Sequence, residues 1–144
     1  MFDMTRSERS TTMTATKSNL EELNGTCRAE AIRLAFPKLV SKLQDLLTAQ
    51  LVAYIGSVSE TRAVRQWAEG SRKPQGDVPR RLREAYVLAL CISREEDIEA
   101  AQAWFQGLNP LLDDAAPARL LREGNLDEVG PMVIRAERHF LAEG

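Results

Sequence analysis

The sequence contains very few residues of the types that carry catalytic or metal chemistry. It has one histidine, His139, and two cysteines, Cys27 and Cys91, among 144 residues. The cysteines lack CxxC spacing and have no histidine nearby, so no zinc site is expected. A glycine-rich phosphate loop is absent, and Asp113 and Asp114 are adjacent, so they point in different directions on any helix. We therefore expect no enzyme, no bound metal and no cofactor.

Long apolar runs are also missing. The chain has no stretch of about 18 apolar residues, the length that a membrane-spanning helix needs. Residues 1–18 are rich in Ser and Thr and lack the apolar segment of a secretory signal, so we expect a cytoplasmic protein without membrane contact. The same residues have few large side chains to bury, and we expect them to form a disordered tail.

The two charge signs are unevenly distributed along the chain. Residues 59–83 hold seven basic and three acidic residues, whereas residues 84–144 hold five basic and twelve acidic residues. The net charge of −2 conceals this asymmetry. The basic middle segment is able to approach a polyanion, and the acidic C-terminal segment is not. The alternative is that both are only solvated surfaces, as most charge runs are.

Apolar residues recur at intervals of three and four without any convincing alternation, which predicts an all-α fold, a small helical bundle. "TAQLVAYIGS" predicts a short helix that ends at Gly56, and "SETRAVRQWAEG" predicts a second one from an N-cap at Ser59 to Gly70. Farther along, Ser93 and Glu96 form a capping box that would open another helix.

The remaining boundaries follow from proline and glycine. Pro117 is expected to start a short helix that Gly124 stops, and Pro131 to open the last helix. We divide the chain into the tail of residues 1–18, a helical region over residues 19–92 and a C-terminal helical region over residues 93–144. The first helical region includes a segment of helix-turn-helix type at residues 48–70.

The segment 48–70 has the pattern that a helix-turn-helix requires. Val64 and Trp67 are three residues apart, so both can face the core while polar residues stay free on the opposite side. Arg matches the acceptors of guanine, Gln those of adenine, and Thr reaches phosphate or a thymine methyl. The candidate DNA-binding residues are Thr61, Arg62, Arg65, Gln66, Arg72 and Lys73. An ordinary helical hairpin with a polar outer face explains the pattern equally well.

Two quoted segments carry a family resemblance. "VSETRAVRQWAEGSRKP" resembles the recognition-helix half of Xre-type helix-turn-helix proteins, and "WFQGLNPLLDDAAPARLLREGNLDEV" resembles the toxin-binding domain of antitoxins of the Xre/MbcA/ParS class. The positions that match the second pattern are Trp104, Phe105, Asn109, Pro110, Leu112, Pro117, Leu120, Leu121 and Gly124.

The resemblance implies a helical antitoxin that pairs into a homodimer, binds a RES-domain toxin that consumes NAD, and represses its own operon by binding operator DNA. The candidate toxin-binding residues are Trp104, Asn109, Pro110, Leu111, Leu112, Leu121, Gly124 and Asn125. For Trp104 and Leu121, packing in the core is the stronger alternative, whereas Leu111, Asn125 and the last helix are expected to take part in partner binding.

Two other functions remain open. The same features fit a DNA-binding transcriptional regulator without a toxin partner. The segment from Gly56 to Trp67 is longer than in the compact motif, which leaves room for an adaptor that binds only protein.

Overall fold

The structure is a computed structural model that describes the backbone of residues 17–143 and the side chains of residues 19–143. Over this range, eight α-helices and one 3₁₀ helix follow each other. They are α1 (Lys17–Arg33), α2 (Phe36–Leu47), α3 (Ala49–Ile55), α4 (Thr61–Glu69), α5 (Val78–Glu95), α6 (Ile98–Gln106), the 3₁₀ helix (Pro110–Leu112), α7 (Pro117–Glu123) and α8 (Leu126–Glu143). These residues include no β-strand, so the prediction of an all-α fold is confirmed.

Most of the predicted tail, residues 1–16, lies outside the described residues. The boundary at residue 18 was placed too late, because α1 already begins at Lys17. None of the described helices combines the length and the apolar character that crossing a membrane would require.

Helix α5 is the centre of the bundle. Every residue from Ala85 to Ile92 is buried, because α1, α2, α6 and α8 all pack against this helix. One apolar core cluster includes side chains of α1 and of α8. The chain division drawn after residue 92 falls within α5, which continues to Glu95.

Charged side chains of α1 and α5 add to the apolar contacts between the two helices. Arg28 donates two hydrogen bonds to Glu84, at 3.0 and 2.7 Å. Arg94 donates two to Glu30, both at 2.7 Å. Arg83 donates to the carbonyl oxygens of Ala31, in the last turn of α1, and of Leu34, just after the helix. The Ala31 carbonyl also accepts from the amide of Leu34 at 3.2 Å.

Three predicted helix starts were wrong. Helix α4 begins after Glu60 and not after Ser59. Ser93 lies inside α5, where its hydroxyl donates to the Leu90 carbonyl, and Asp97 caps α6 instead by accepting from the amide of Ala100 at 2.7 Å. Pro131 lies within α8.

The proline is tolerated in α8 because the first turn is fixed before it. Asn125 Oδ1 accepts from the amide of Asp127 at 2.9 Å, and Leu126 is buried. Pro131 therefore removes only the one hydrogen bond that its own N–H would donate four residues back, to the carbonyl of Asp127.

The predicted helix ends at glycine are confirmed at Gly56, Gly70 and Gly124. Gly70 has a φ of 81°, a left-handed conformation that glycine adopts without strain. Gly56 is required for a different reason, which is space. A Cβ there would lie 2.9 Å from two atoms of the Trp67 ring.

We expect Gly56→Ala to lower the free energy of unfolding by about 1–3 kcal/mol, because the Trp67 ring or the whole of α4 must shift to admit the methyl group. Gly25→Ala is the matched control, since a Cβ at Gly25 meets nothing within 4 Å. There the better helix propensity should raise stability by up to about 1 kcal/mol. Urea unfolding followed by circular dichroism measures both changes, and equal stability of the two variants would contradict the close contact.

Candidate functional site

Helices α3 and α4 position the candidate DNA-binding residues. Val64 is fully buried and Trp67 is 2% exposed, and the Trp67 ring makes an edge contact with Phe36 at 6.1 Å between ring centroids. This anchoring turns the opposite side of α4 outward. Thr61, Arg62 and Arg65 are exposed there, as the helical spacing predicts.

We call the group Thr61, Arg62, Arg65, Gln66, Arg72 and Lys73 the basic surface; all but Gln66 are exposed. Gln66 is half-buried, and its side-chain oxygen accepts a hydrogen bond from Arg72 at 3.4 Å. A groove of about 570 Å³ lies between the α3–α4 turn and this pair. Among the described residues, no carboxylate forms an ion pair with a basic residue of this surface. Its positive charges are therefore available to an anionic partner.

The other basic residues of the middle segment have internal roles. Arg80 pairs with Asp127 at 2.9 Å and Arg81 pairs with Asp77 at 2.9 Å. Arg81 also donates to the Leu121 carbonyl at 2.6 Å, which ties α5 to the end of α7. The net charge of residues 59–83 thus overstates how basic the region is, and the charge that remains unpaired is concentrated next to α4.

The chain turns sharply after α6, and Asn109 organises this turn. Its side-chain oxygen accepts from the amide of Leu111 at 2.9 Å, its own amide donates to the Ala115 carbonyl at 3.1 Å, and its carbonyl accepts from the amides of Leu112 and Asp114 at 2.9 Å. Pro110 starts the 3₁₀ helix, where the lack of an N–H leaves no donor unsatisfied. The corner has a fixed shape.

An apolar surface stands on this corner. Leu108 is 76% exposed and Leu111 is 53% exposed, and Pro110 between them is also exposed. These residues and half-buried Phe140 line a cavity of about 460 Å³, with Trp104 beside them. We call Leu108, Pro110, Leu111 and Phe140 the corner surface. Much of the apolar surface of these leucines stays in contact with water, so it is available to a partner.

Several of the predicted toxin-binding residues support the fold instead. Leu112 is 2% exposed and Leu121 is fully buried, while Trp104 is 7% exposed and packs edge-on against Phe105 at 5.2 Å. Gly124 lets the chain before α8 lie close to the Val129 side chain, because a Cβ at this position would lie 2.6 Å from Val129.

The remaining predicted residues are Asn109, Pro110, Leu111 and Asn125. Asn125 is exposed and caps α8, and Asn109 is occupied with the corner itself. Only Pro110 and Leu111 of the predicted set present apolar atoms to solvent in the corner surface.

The sequence did not single out four residues of the same region. Leu108, His139, Phe140 and Glu143 line the corner cavity. Leu108 had a usable signal, because it is a large apolar residue between Gly107 and Asn109-Pro110, where no helical face can bury it. The last helix was expected to take part in partner binding, but no residue of α8 was named for it, because the proximity of its residues to the corner depends on how α8 packs.

A polar cluster lies between α1, α5 and α8. Cys27 and Cys91 are both buried, and a hydrogen bond between the two thiols lowers the pKa of Cys27 and raises that of Cys91. Glu137 is fully buried, and neither of its oxygens has a hydrogen-bond partner in the described part of the chain. Burial raises its pKa well above the ordinary value, and Cys27 and Glu84 act in the same direction. Glu137 therefore adds no usable charge to the acidic half.

Helices α3 and α7 link the two surfaces. Arg122 of α7 donates to the Tyr54 carbonyl at 2.9 Å, and its guanidinium lies 4.7 Å from the centroid of the Tyr54 ring. Since Tyr54 lies on the helix that precedes the α3–α4 turn, the basic surface and the corner surface share one rigid scaffold.

Comparisons with protein-family models, with curated proteins and with solved structures gave no match. The described residues contain no cluster of His, Cys, Asp and Glu side chains arranged to hold a metal ion.

We expect Glu137→Gln to raise the free energy of unfolding at neutral pH. The raised pKa means that folded Glu137 keeps a proton that the unfolded chain loses above the ordinary pKa of 4.5. Wild-type stability therefore falls as pH rises above that value, until the folded pKa is reached. The neutral amide has no such loss.

The measurement is urea unfolding of wild type and Glu137→Gln between pH 4.5 and 8. The gain of the variant should grow with pH across this window and be smallest at pH 4.5, which serves as the internal control. A gain that does not depend on pH would show that Glu137 does not titrate as its burial requires.

Proposed function

We propose that this protein is an antitoxin of a toxin–antitoxin pair, which neutralises a RES-domain, NAD-consuming toxin by direct protein binding and represses its own operon by binding DNA. In this proposal it acts in the cytoplasm as a homodimer and performs no chemistry of its own. Neutralisation needs only a surface that holds the toxin and blocks its cleft.

The observation that carries the proposal is the corner surface. Leu108 and Leu111 project from a corner whose backbone is held by Asn109, so they meet a partner without ordering a loop first. Preorganised apolar residues next to a cavity are typical of the residues that dominate binding energy in protein interfaces. The buried Trp104 packs beneath this surface, so its role in partner binding is indirect.

The identity of the partner rests on the resemblance of residues 104–129 to the toxin-binding domain of the Xre/MbcA/ParS class. Pro110 and Leu111, at the Asn-Pro of that pattern, belong to the corner surface, while Trp104, Leu112 and Leu121 build the scaffold beneath it. The acidic balance of residues 84–144 would steer the chain toward a basic partner.

DNA binding is the second part of the proposal and rests on the basic surface. Its arginines and its lysine lack carboxylate partners in the described chain, and Arg62 and Arg65 project from the side of α4 opposite the anchoring Trp67. Arg72 and Lys73 follow the helix end at Gly70, in a position suited to phosphate contacts.

A stand-alone DNA-binding regulator is the alternative, and the same basic surface favours it. The two functions differ at the corner surface, which a regulator does not need for DNA. An adaptor without DNA binding would use the corner surface alone. Substitutions in the two surfaces therefore separate all three functions.

We expect Leu111→Asp combined with Leu108→Asp to weaken binding to the RES-domain partner by at least about 30-fold, the effect of losing about 2 kcal/mol of apolar contact. The change should restore NAD loss in a mixture of toxin and antitoxin. Affinity is measured by calorimetry, and NAD by its consumption over time.

The control is Ile32→Asp, which places one of the same substituents on an exposed apolar residue of α1, 69% exposed. It should neutralise the toxin like the wild type. Full neutralisation by the double corner variant would remove the corner surface from the interface. Shortening the chain after Gly130 is a poorer test, because it deletes buried Val133 and Leu141.

We expect Arg65→Ala to weaken specific DNA binding by about 1–3 kcal/mol, the usual contribution of one side chain that reads a base. Arg33→Ala, at an exposed arginine at the end of α1, is the control and should keep wild-type affinity. A mobility shift on the promoter of the chain's own operon measures both. Unchanged binding by folded Arg65→Ala would exclude this residue from the reading surface, and no shift with the wild type would favour the adaptor.

A further inference from the structure

A cavity of about 510 Å³ lies on another face of the bundle, between α1, α5 and α8. Arg28, Arg80 and Arg83 line it together with Asn24, and Gly130 and Ile134 form its α8 wall. It shares no lining residue with the basic surface or the corner surface, so the proposed function leaves it unused.

The cavity has an excess of positive charge. Arg28 is paired with Glu84 and Arg80 is paired with Asp127, at 2.7 and 2.9 Å. Arg83 has no carboxylate partner in the described chain, and the oxygens it binds belong to the neutral carbonyls of Ala31 and Leu34. One guanidinium charge therefore remains uncompensated at a partly buried site, where screening by solvent is reduced.

The α8 wall provides unused space at Gly130. Glycine inside a helix lowers stability relative to alanine, and a buried helical glycine normally accommodates a neighbouring side chain. Gly130 is buried, yet a Cβ placed on it would meet no atom within 4 Å. No other part of the protein fills the space that a side chain at this position would take, so the space beside Gly130 is open to a ligand.

The remaining lining supplies a hydrogen-bonding group and apolar contacts. Asn24 is 7% exposed, and its buried amide nitrogen has no hydrogen-bond partner among the described residues. A rotation of this amide would direct a donor at an acceptor in the cavity. Leu126, Pro131 and Ile134 line the cavity from α8 and form its apolar side.

We propose that this cavity binds a small molecule that carries one oxyanion group, a carboxylate or a phosphate, on a compact apolar body. The oxyanion lies at the arginines, where guanidinium groups match its geometry. The apolar body lies along α8 beside Gly130. This site is additional to toxin and DNA binding and does not depend on either.

The experiment titrates the full chain with benzoate and with phenyl phosphate, at constant ionic strength, and follows amide chemical shifts by NMR. We expect saturable shifts for residues around the cavity with at least one probe, and the stronger probe identifies the oxyanion class. Benzyl alcohol supplies the same apolar body without charge, and inorganic phosphate supplies the charge without the body. Both should bind more weakly.

Two substitutions and one control locate the site. Gly130→Leu fills the space beside α8 and should weaken binding by about tenfold or more, whereas Gly25→Leu adds the same side chain at an exposed helical glycine and should leave binding unchanged. Asp127→Asn removes the carboxylate that competes for Arg80 and should tighten binding by about threefold.

Three results would overturn the proposal. They are no saturable shift with either aromatic anion, equal binding of benzyl alcohol, and wild-type affinity in folded Gly130→Leu. The thermal midpoint of each variant, measured beforehand, shows that it is folded. A failure of toxin or DNA binding would leave this result untouched, because those assays use other surfaces.

Discussion

The burial of α5 is the constraint on which the rest of the structure depends. A helix with every residue from Ala85 to Ile92 removed from water must be covered on all sides. The helices α1, α2, α6 and α8 provide most of this cover, and α3 and α7 complete it. Each covering helix has one side occupied by α5, so its outer side is determined as well. The corner surface stands next to two of these covering helices, α6 and α8, and the cavity lies where α1 and α8 meet α5. The basic surface lies on α4, which packs on α2 and α3 and so depends on α5 through them.

The cover over α5 is not uniform in character. On one side it is apolar, where α2 and α6 pack with buried side chains such as Leu43 and Phe105. On the α1 side, buried apolar residues such as Leu20 and Ala31 are accompanied by two Arg–Glu pairs, two thiols and the buried carboxyl of Glu137. The two bidentate Arg–Glu pairs favour one register of α1 on α5, since a shifted helix would break both.

The residues that begin and end helices show which features of the fold can be predicted from the local sequence. The helix ends at Gly56, Gly70 and Gly124 followed from the sequence because glycine commonly ends a helix. At Gly70 and Gly124 the physical reason is local, whereas Gly56 is also required by the Trp67 ring of the next helix. The helix starts predicted from Ser59, Ser93 and Pro131 were wrong, because a helix start also depends on the path of the chain around it. A capping residue acts only if the chain bends there, and the packing of α5 and α8 keeps the chain helical through Ser93 and Pro131. Local preference was overruled by the burial of the surrounding helix.

The candidate sites follow the same division. The sequence by itself determined that the chain is helical, that Val64 and Trp67 face inward, and that Thr61, Arg62 and Arg65 therefore face outward, because helical periodicity is a local property. Only the tertiary structure decided which leucines near the Asn-Pro corner are exposed. Leu111 and Leu112 are adjacent and equally apolar, yet one is 53% and the other 2% exposed. The difference in their exposure, and the position of Phe140 beside them, depend on where α8 packs in the bundle. No short stretch of sequence contains that information.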